Sequence, residues 1–238
     1  MRLPKALAFD VFGTVVDWRS GIAREAAPLL QKLGRSDITP EAFADGWRAR
    51  YQPAMARVRS GERPFVVLDT LHRETLEELL VSLGIEPAAV GDERLHELTL
   101  AWHRLDPWPD AVVGLTRLKQ RFPIVTLSNG NIALMLDMAR RAGLPWDAIL
   151  GAEVSGHYKP DPEAYLATAR ALAIEPNELC LVAAHHSDLS AARACRLLTA
   201  YVDRPMEYGG RPAPDLHFAQ DWEWSMNSLI ELADMLSA

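Results

Sequence analysis

Short, unbroken apolar runs that stop at small or polar residues recur along this chain, and they mark its buried strands. Residues 6–10, ALAFD, end at Phe12-Gly13-Thr14. A run apolar on both faces reads as a strand inside a parallel sheet, which delivers Asp10 to the strand's carboxyl end. Residues 124–127, 148–150, 179–183 and 199–202 have the same form. Between them lie segments of helical length and amphipathic spacing, at 110–121, 132–142, 161–173 and 188–197. Strand and helix alternate, which predicts an α/β fold: a doubly wound, Rossmann-like parallel sheet covered on both faces.

Residues 17–105 break the alternation with helical patterns at 21–33, 40–59, 65–83 and about 90–105. Pro40 suits a first helical turn, with Thr39 before it as a cap. Gly34, Gly61 and Gly84 stand where these helices would end, as C-terminal glycines do. The predicted organisation is a core of residues 1–16 and 106–238, with an all-helical cap domain of residues 17–105 inserted after the first strand. Ligands of open doubly wound sheets bind outside the carboxyl ends of the strands, so such a cap would close over that edge. The Pro/Gly-rich stretch 204–214 reads as a loop.

Composition narrows the function. A formal net charge of -7 with scattered Lys and Arg disfavours nucleic acid and anionic membranes as partners, since both need clustered cations. Cys180 and Cys195 form no C-x-x-C and no ligand cluster with His, and are read as reduced thiols. The first ten residues lack the long apolar region of a secretory signal, and no apolar stretch approaches a membrane span. The expectation is a cytoplasmic enzyme acting on a small molecule.

Four polar elements punctuate the apolar pattern: Asp10 in D-V-F-G-T, Ser128-Asn129 in T-L-S-N-G, Lys159 in K-P-D-P, and Asp188 in A-A-H-H-S-D. A carboxylate at a strand-to-loop turn is able to attack carbon or phosphorus and form an ester that a later step hydrolyses. The plainer reading of Asp10 is a helix cap, that of Lys159 a surface loop residue, and that of Ser128-Asn129 a simple turn. Together, in this order and spacing, the four resemble the motifs of the haloacid dehalogenase superfamily over essentially the whole chain. The resemblance implies Asp10 as nucleophile, Thr14 fixing its rotamer, Lys159 holding it ionised, and Asp188 orienting the hydrolytic water.

Most of that superfamily transfers phosphoryl groups. Its phosphatases carry a second Asp two residues after the nucleophile and an acidic pair in the last motif; here those positions hold Phe12 and Ala184. An octahedral Mg²⁺ takes oxygen ligands, and an alkoxide leaving group needs a proton donor. A halide needs neither. The pattern is similar to that of the metal-independent, cofactor-free L-2-haloacid dehalogenases, which turn short 2-haloalkanoates into 2-hydroxy acids. That likeness implies substrate contacts from Phe12, Arg48 (in Trp47-Arg48), Ser128, Asn129, Tyr165 and His185, and a homodimer built through cap helices. Well-studied members carry Ser-x-Asn-x-Trp-Asp where this chain has Ala183-Ala184-His185-His186-Ser187-Asp188, so the surroundings of the water and the halide differ. A Mg²⁺-dependent phosphatase is the alternative, and a retired, purely binding member a third; intact Asp10, Thr14, Ser128, Lys159 and Asp188 weigh against the last.

Overall fold

A computed structural model describes residues 3–237. Strand β1 (Ala6–Phe9) is buried throughout and leads through a tight turn into the short β2 (Val16–Asp17). Next come the helices α1 (Trp18–Lys32), α2 (Pro40–Arg59), α3 (Leu68–Ser82), α4 (Pro87–Val90) and α5 (Asp92–Thr99), then a 3₁₀ segment, Leu100–Arg104. The chain returns through β3 (Asp106–Pro107) and continues with α6 (Ala111–Lys119), β4 (Ile124–Thr126), α7 (Ile132–Ala142) and α8 (Pro162–Ala171). It closes with β5 (Leu179–Ala183), α9 (His186–Ala194), β6 (Leu198–Val202), β7 (Trp224–Met226) and α10 (Leu229–Ser237).

Five strands form one parallel sheet in the order β4-β1-β5-β6-β7. Strand β1 lies between β4 and β5, with Leu7 opposite both Ile124 and Cys180. The doubly wound α/β fold with a helical insertion is therefore present. Alternation along β1 sends Leu7 and Phe9 into one buried cluster and Ala6 and Ala8 into another, because successive strand side chains point to opposite faces. The first cluster runs on into the insertion, where Trp18, Trp47 and Trp102 are each at most 1% exposed.

Three expectations fail, each for a local reason. Residues 148–150 make only a single bridge, Val125 to Ala148. Thr126 Oγ1 occupies that edge instead, accepting from Leu150 N at 2.8 Å and donating to Leu150 O at 3.1 Å. The fifth strand is β7, whose three residues were too short a run to recognise. The helix expected over 90–105 is broken at Gly91, whose φ of +88° is left-handed and suits only glycine, and its last turn tightens into the 3₁₀ segment.

The two crossings between sheet and insertion run side by side. Strands β2 and β3 pair antiparallel, Val16 with Pro107 and Asp17 with Asp106. Asp17 also caps α1, accepting from Ser20 N at 3.0 Å, and Thr39 caps α2, accepting from Ala42 N at 3.1 Å, as expected. On the far side, Tyr158 donates to Val66 O at 2.7 Å, and Phe65 packs on Tyr158 with ring centres 5.3 Å apart. His103 of the insertion lies between Asp69 (3.1 Å) and Asp137 of α7 (2.8 Å). No helix among the described residues is long and apolar enough to cross a membrane.

Candidate active site

Asp10 follows β1 directly and is 6% exposed. Its backbone N–H still bonds Val182 O at 3.0 Å, so the carboxylate is fixed to the sheet at the carboxyl edge. Gly13, at φ +85°, turns the chain back so that Thr14 Oγ1 donates to Asp10 Oδ2 at 2.7 Å. The same oxygen accepts from Ala184 N at 2.9 Å, which leaves the hydroxyl hydrogen for Asp10. Lys159 reaches Asp10 Oδ1 at 2.9 Å and also bonds Asp188 Oδ2. Tyr165 donates to the other oxygen of Asp188 at 2.7 Å. Asp188 lies in the first turn of α9, where the helix dipole favours a carboxylate.

His185 completes the ring of partners around Asp10. Its Nδ1 lies 3.1 Å from Asp10 Oδ2, and its Nε2 lies 3.0 and 3.1 Å from the two oxygens of Glu207. Asp10, Thr14, Lys159, Asp188, Tyr165 and His185 thus form one connected network. Burial opposes ionisation of Asp10, but the charge of Lys159 and the contacts of His185 and Thr14 overcome it and hold the carboxyl far below its usual range. Burial likewise opposes the charge on Lys159, and Asp10 and Asp188 outweigh it and raise the ammonium above its usual value. Asp188 moves the other way: burial, helped by the nearby charge of Asp10, raises it despite Lys159. One carboxylate is thereby kept anionic and the other made more basic.

The remaining expected residues divide. Ser128 is buried, its Oγ accepting from Gly130 N at 3.1 Å. The Asn129 side-chain oxygen accepts from Lys159 N at 2.8 Å; that contact positions the lysine. Phe12 is 2% exposed and stands edge-on to Trp102, with ring centres 5.8 Å apart at 88°. Arg48 lies over the rings of Tyr51 (4.1 Å) and Trp18 (5.3 Å), and its Nη1 is buried without a hydrogen-bond partner among the described residues. Phe12 and Arg48 are therefore parts of an aromatic wall, and make no direct hydrogen bond to Asp10.

Sequence reasoning missed four members of this site. Glu207 sits in the loop after β6 at 2% exposure while its neighbour Met206 is 61% exposed; one acidic residue in a Pro/Gly-rich loop carries no signal of burial. Trp18 donates its Nε1–H to Glu207 Oε1 at 2.9 Å. His72 stacks on Trp102 at 4.3 Å, and neither ring nitrogen has a partner among the described residues, nor does Trp102 Nε1. Burial lowers His72 to about 3, so the imidazole is neutral. An aromatic wall with N–H groups unmatched among the described residues suits a small polarisable anion.

Comparison with known proteins agrees with this geometry. A family model described as haloacid dehalogenase-like hydrolase matches residues 4–196. The (S)-2-haloacid dehalogenase 4A of Burkholderia cepacia is 30% identical over 236 residues, covering 98% of this chain and 95% of that protein. The crystal structure of a defluorinating L-2-haloacid dehalogenase superposes with a TM-score of 0.96 at 48% identity, covering 100% of this chain and 96% of the other. A phosphoglycolate phosphatase of Chromobacterium violaceum is also similar, 26% identical over 238 residues and covering 98% and 96% of the two chains. The family match takes in the strand-end Asp10, most of the sheet and the whole helical insertion, and the chain belongs to the haloacid dehalogenase-like hydrolases.

Proposed function

We propose that the chain hydrolyses short (S)-2-haloalkanoic acids to 2-hydroxy acids through a covalent ester on Asp10, without a metal ion. The observation that carries this reading is the buried Asp10 carboxylate, bonded by Lys159 at 2.9 Å, with Phe12 and not a second carboxylate two residues on. The names of the relatives at 30% and 48% identity point the same way. Residues 1–16 and 106–238 act as the catalytic core, and residues 17–105 as the cap that supplies Arg48, His72 and Trp102.

In the first step an Asp10 oxygen attacks C2, a C–O bond forms with inversion, and the C–X bond breaks with its electron pair leaving on the halide. Arg48, with its buried unmatched Nη1–H, receives the anion; Ser128 and neighbouring backbone N–H groups hold the substrate carboxylate. In the second step Asp188, raised by burial and held by Tyr165, takes a proton from water as the water oxygen attacks the Asp10 ester carbonyl. The ester then collapses to the 2-hydroxy acid and free Asp10.

Similarity to phosphoglycolate phosphatases motivates the competing reading. The donor set does not suit it: Phe12 and Ala184 offer no side-chain oxygen, and the ammonium of Lys159 bonds both Asp10 and Asp188, where a divalent cation would need those oxygens. The deciding experiment measures halide release from L- and D-2-chloropropionate, chloroacetate and fluoroacetate in EDTA, beside p-nitrophenyl phosphate hydrolysis with Mg²⁺. Halide release in EDTA supports the proposal; phosphate release that requires Mg²⁺, with no halide, overturns it.

A further inference from the structure

Neither ring nitrogen of His185 is free. Nδ1 faces Asp10 Oδ2 at 3.1 Å, and Nε2 faces both oxygens of Glu207 at 3.0 and 3.1 Å. Each nitrogen thus faces a carboxylate oxygen, and an imidazolium, with hydrogen on both nitrogens, is the form of the ring that donates to both sides. Such a ring has no lone pair with which to deprotonate water and no spare N–H for a halide. Burial disfavours the charge, yet Glu207 and Asp10 hold His185 well above its ordinary value. The groups facing it are Asp10 from the end of β1 and Glu207 and Tyr208 from the loop after β6, with Lys159 beyond Asp10 and Arg48 beyond Tyr208. Burial pushes the Tyr208 phenol up to about 12, so it is neutral.

Glu207 is built into its place. It is 2% exposed and held by Trp18 Nε1 at 2.9 Å. Gly13 makes the room, since a Cβ there would fall 2.2 Å from Glu207 Oε1 and 2.4 Å from its Cδ. In consequence the two oxygens of Asp10 are not equivalent. Oδ1 accepts from Lys159, whereas Oδ2 accepts from both Thr14 and His185.

The geometry points to Oδ2 as the carbonyl oxygen of the Asp10 ester, Thr14 and the His185 imidazolium as its preformed oxyanion cradle, and Glu207 as the residue that keeps that cradle charged and aimed. This inference rests on the proposed ester chemistry and adds the residue that drives its second half. Oδ1 makes the bond to C2 as halide departs, and Oδ2 becomes a neutral carbonyl still facing two donors. Attack of water on Cγ moves the C=O electron pair onto Oδ2, and Asp188 takes the proton from water. When the pair returns, the Cγ–Oδ1 bond breaks, Oδ1 leaves in the product with the proton from Asp188, and the solvent oxygen stays on Asp10; its remaining hydrogen is released to solvent as a proton, which restores the Asp10 carboxylate. Preorganised donors of this kind are worth about 10²–10³ in rate.

The test is single-turnover dehalogenation of L-2-chloropropionate by the full chain carrying Glu207→Gln or His185→Asn. Halide release reports ester formation, and the mass of the Asp10 peptide reports its survival. Glu207→Gln should leave the halide burst near its wild-type rate and slow ester hydrolysis by roughly 10²-fold, so the adduct accumulates. The slowing should deepen as the pH rises above the ordinary histidine value of about 6.5, because the neutral amide no longer holds the proton, while the wild type stays flat. His185→Asn, which keeps only a neutral donor at every pH, should slow ester hydrolysis without that pH dependence. Equal slowing of both steps without a pH dependence, or no slowing, overturns the inference. So does a neutral His185 ring in the ¹⁵N spectrum of the wild type at pH 8, a readout that needs no variant to fold. A wild type that forms no adduct and releases no halide sinks the dehalogenase reading itself; a turning-over wild type with an unaffected Glu207→Gln sinks only the cradle.

Discussion

Lys159→Met keeps most of the side-chain volume and deletes the ammonium that bonds Asp10 Oδ1 at 2.9 Å and also bonds Asp188. Lys159 is only 7% exposed, so the two carboxylates lose a partner that solvent cannot replace. Breaking a buried ion pair costs about 3–5 kcal/mol. At 1.36 kcal/mol per pKa unit, that raises the titration of the carboxylate pair by roughly 2–4 pH units. Thr14 and His185 still hold Asp10 Oδ2, which keeps the shift from growing larger. The sign follows from the depressed pKa of Asp10: in the wild type the anion persists below the usual carboxylate range, and without Lys159 one proton is shared between two like charges. The acid limb of the halide burst should therefore move up by about 2–4 pH units, while the wild-type burst stays level through pH 5. Rapid-mixing halide measurements across pH 4–8, with thermal melts to verify folding, give the answer. An acid limb at the wild-type position would refute the electrostatic role assigned to Lys159.

Three further outcomes follow from the same contacts. Arg48→Met should slow halide release by about 10–100-fold, the worth of one or two charge-assisted hydrogen bonds, without slowing hydrolysis of a preformed adduct; stopped-flow halide detection separates the two. Tyr165→Phe removes the 2.7 Å donor to Asp188 and should cost about 1–3 kcal/mol in a urea melt, with slower ester hydrolysis. For His103, burial opposes the charge but the bonds to Asp69 and Asp137 raise its pKa; the stability it contributes is complete below about 6.5 and is lost as the pH rises through the raised folded value. His103→Gln should therefore lower Tm most at pH 6 and least at pH 9, and a constant difference across that range would contradict the pairing.

The periodic parts of the fold were legible because burial leaves its mark on local pattern. The β1 run and the helices α2 and α7 were read almost to the residue, since each carries its own start and stop signals. Residues 148–150 looked like a strand because apolar character reports contact with the core, and these half-buried residues make that contact without a ladder. At the site, Asp10, Thr14, Lys159, Tyr165 and Asp188 stood in recognisable motifs, and the structure brings their side chains within hydrogen-bonding reach. Glu207 was invisible for the opposite reason. Its burial depends on Trp18 from α1, His185 from the start of α9 and the missing Cβ of Gly13, three long-range facts that no window along the chain contains. His72 was equally hidden, reading as one polar residue on an amphipathic helix until Trp102 stacked on it.

The paired crossings at β2 and β3 bear on how such a chain varies. Because the outward and return paths are neighbours in a two-residue ladder, Val16 with Pro107 and Asp17 with Asp106, everything between them is an excursion whose ends already meet. Closing a loop costs only a logarithm of its length, so helices may be gained, lost or exchanged there with little penalty to the parallel sheet. Asp10, the proposed nucleophile, sits on the sheet side of that junction, six residues before it, while Arg48, His72 and Trp102 sit on the insertion side. A chain that keeps the proposed nucleophile in its sheet is thus free to change what it meets, by splicing at a single doorway.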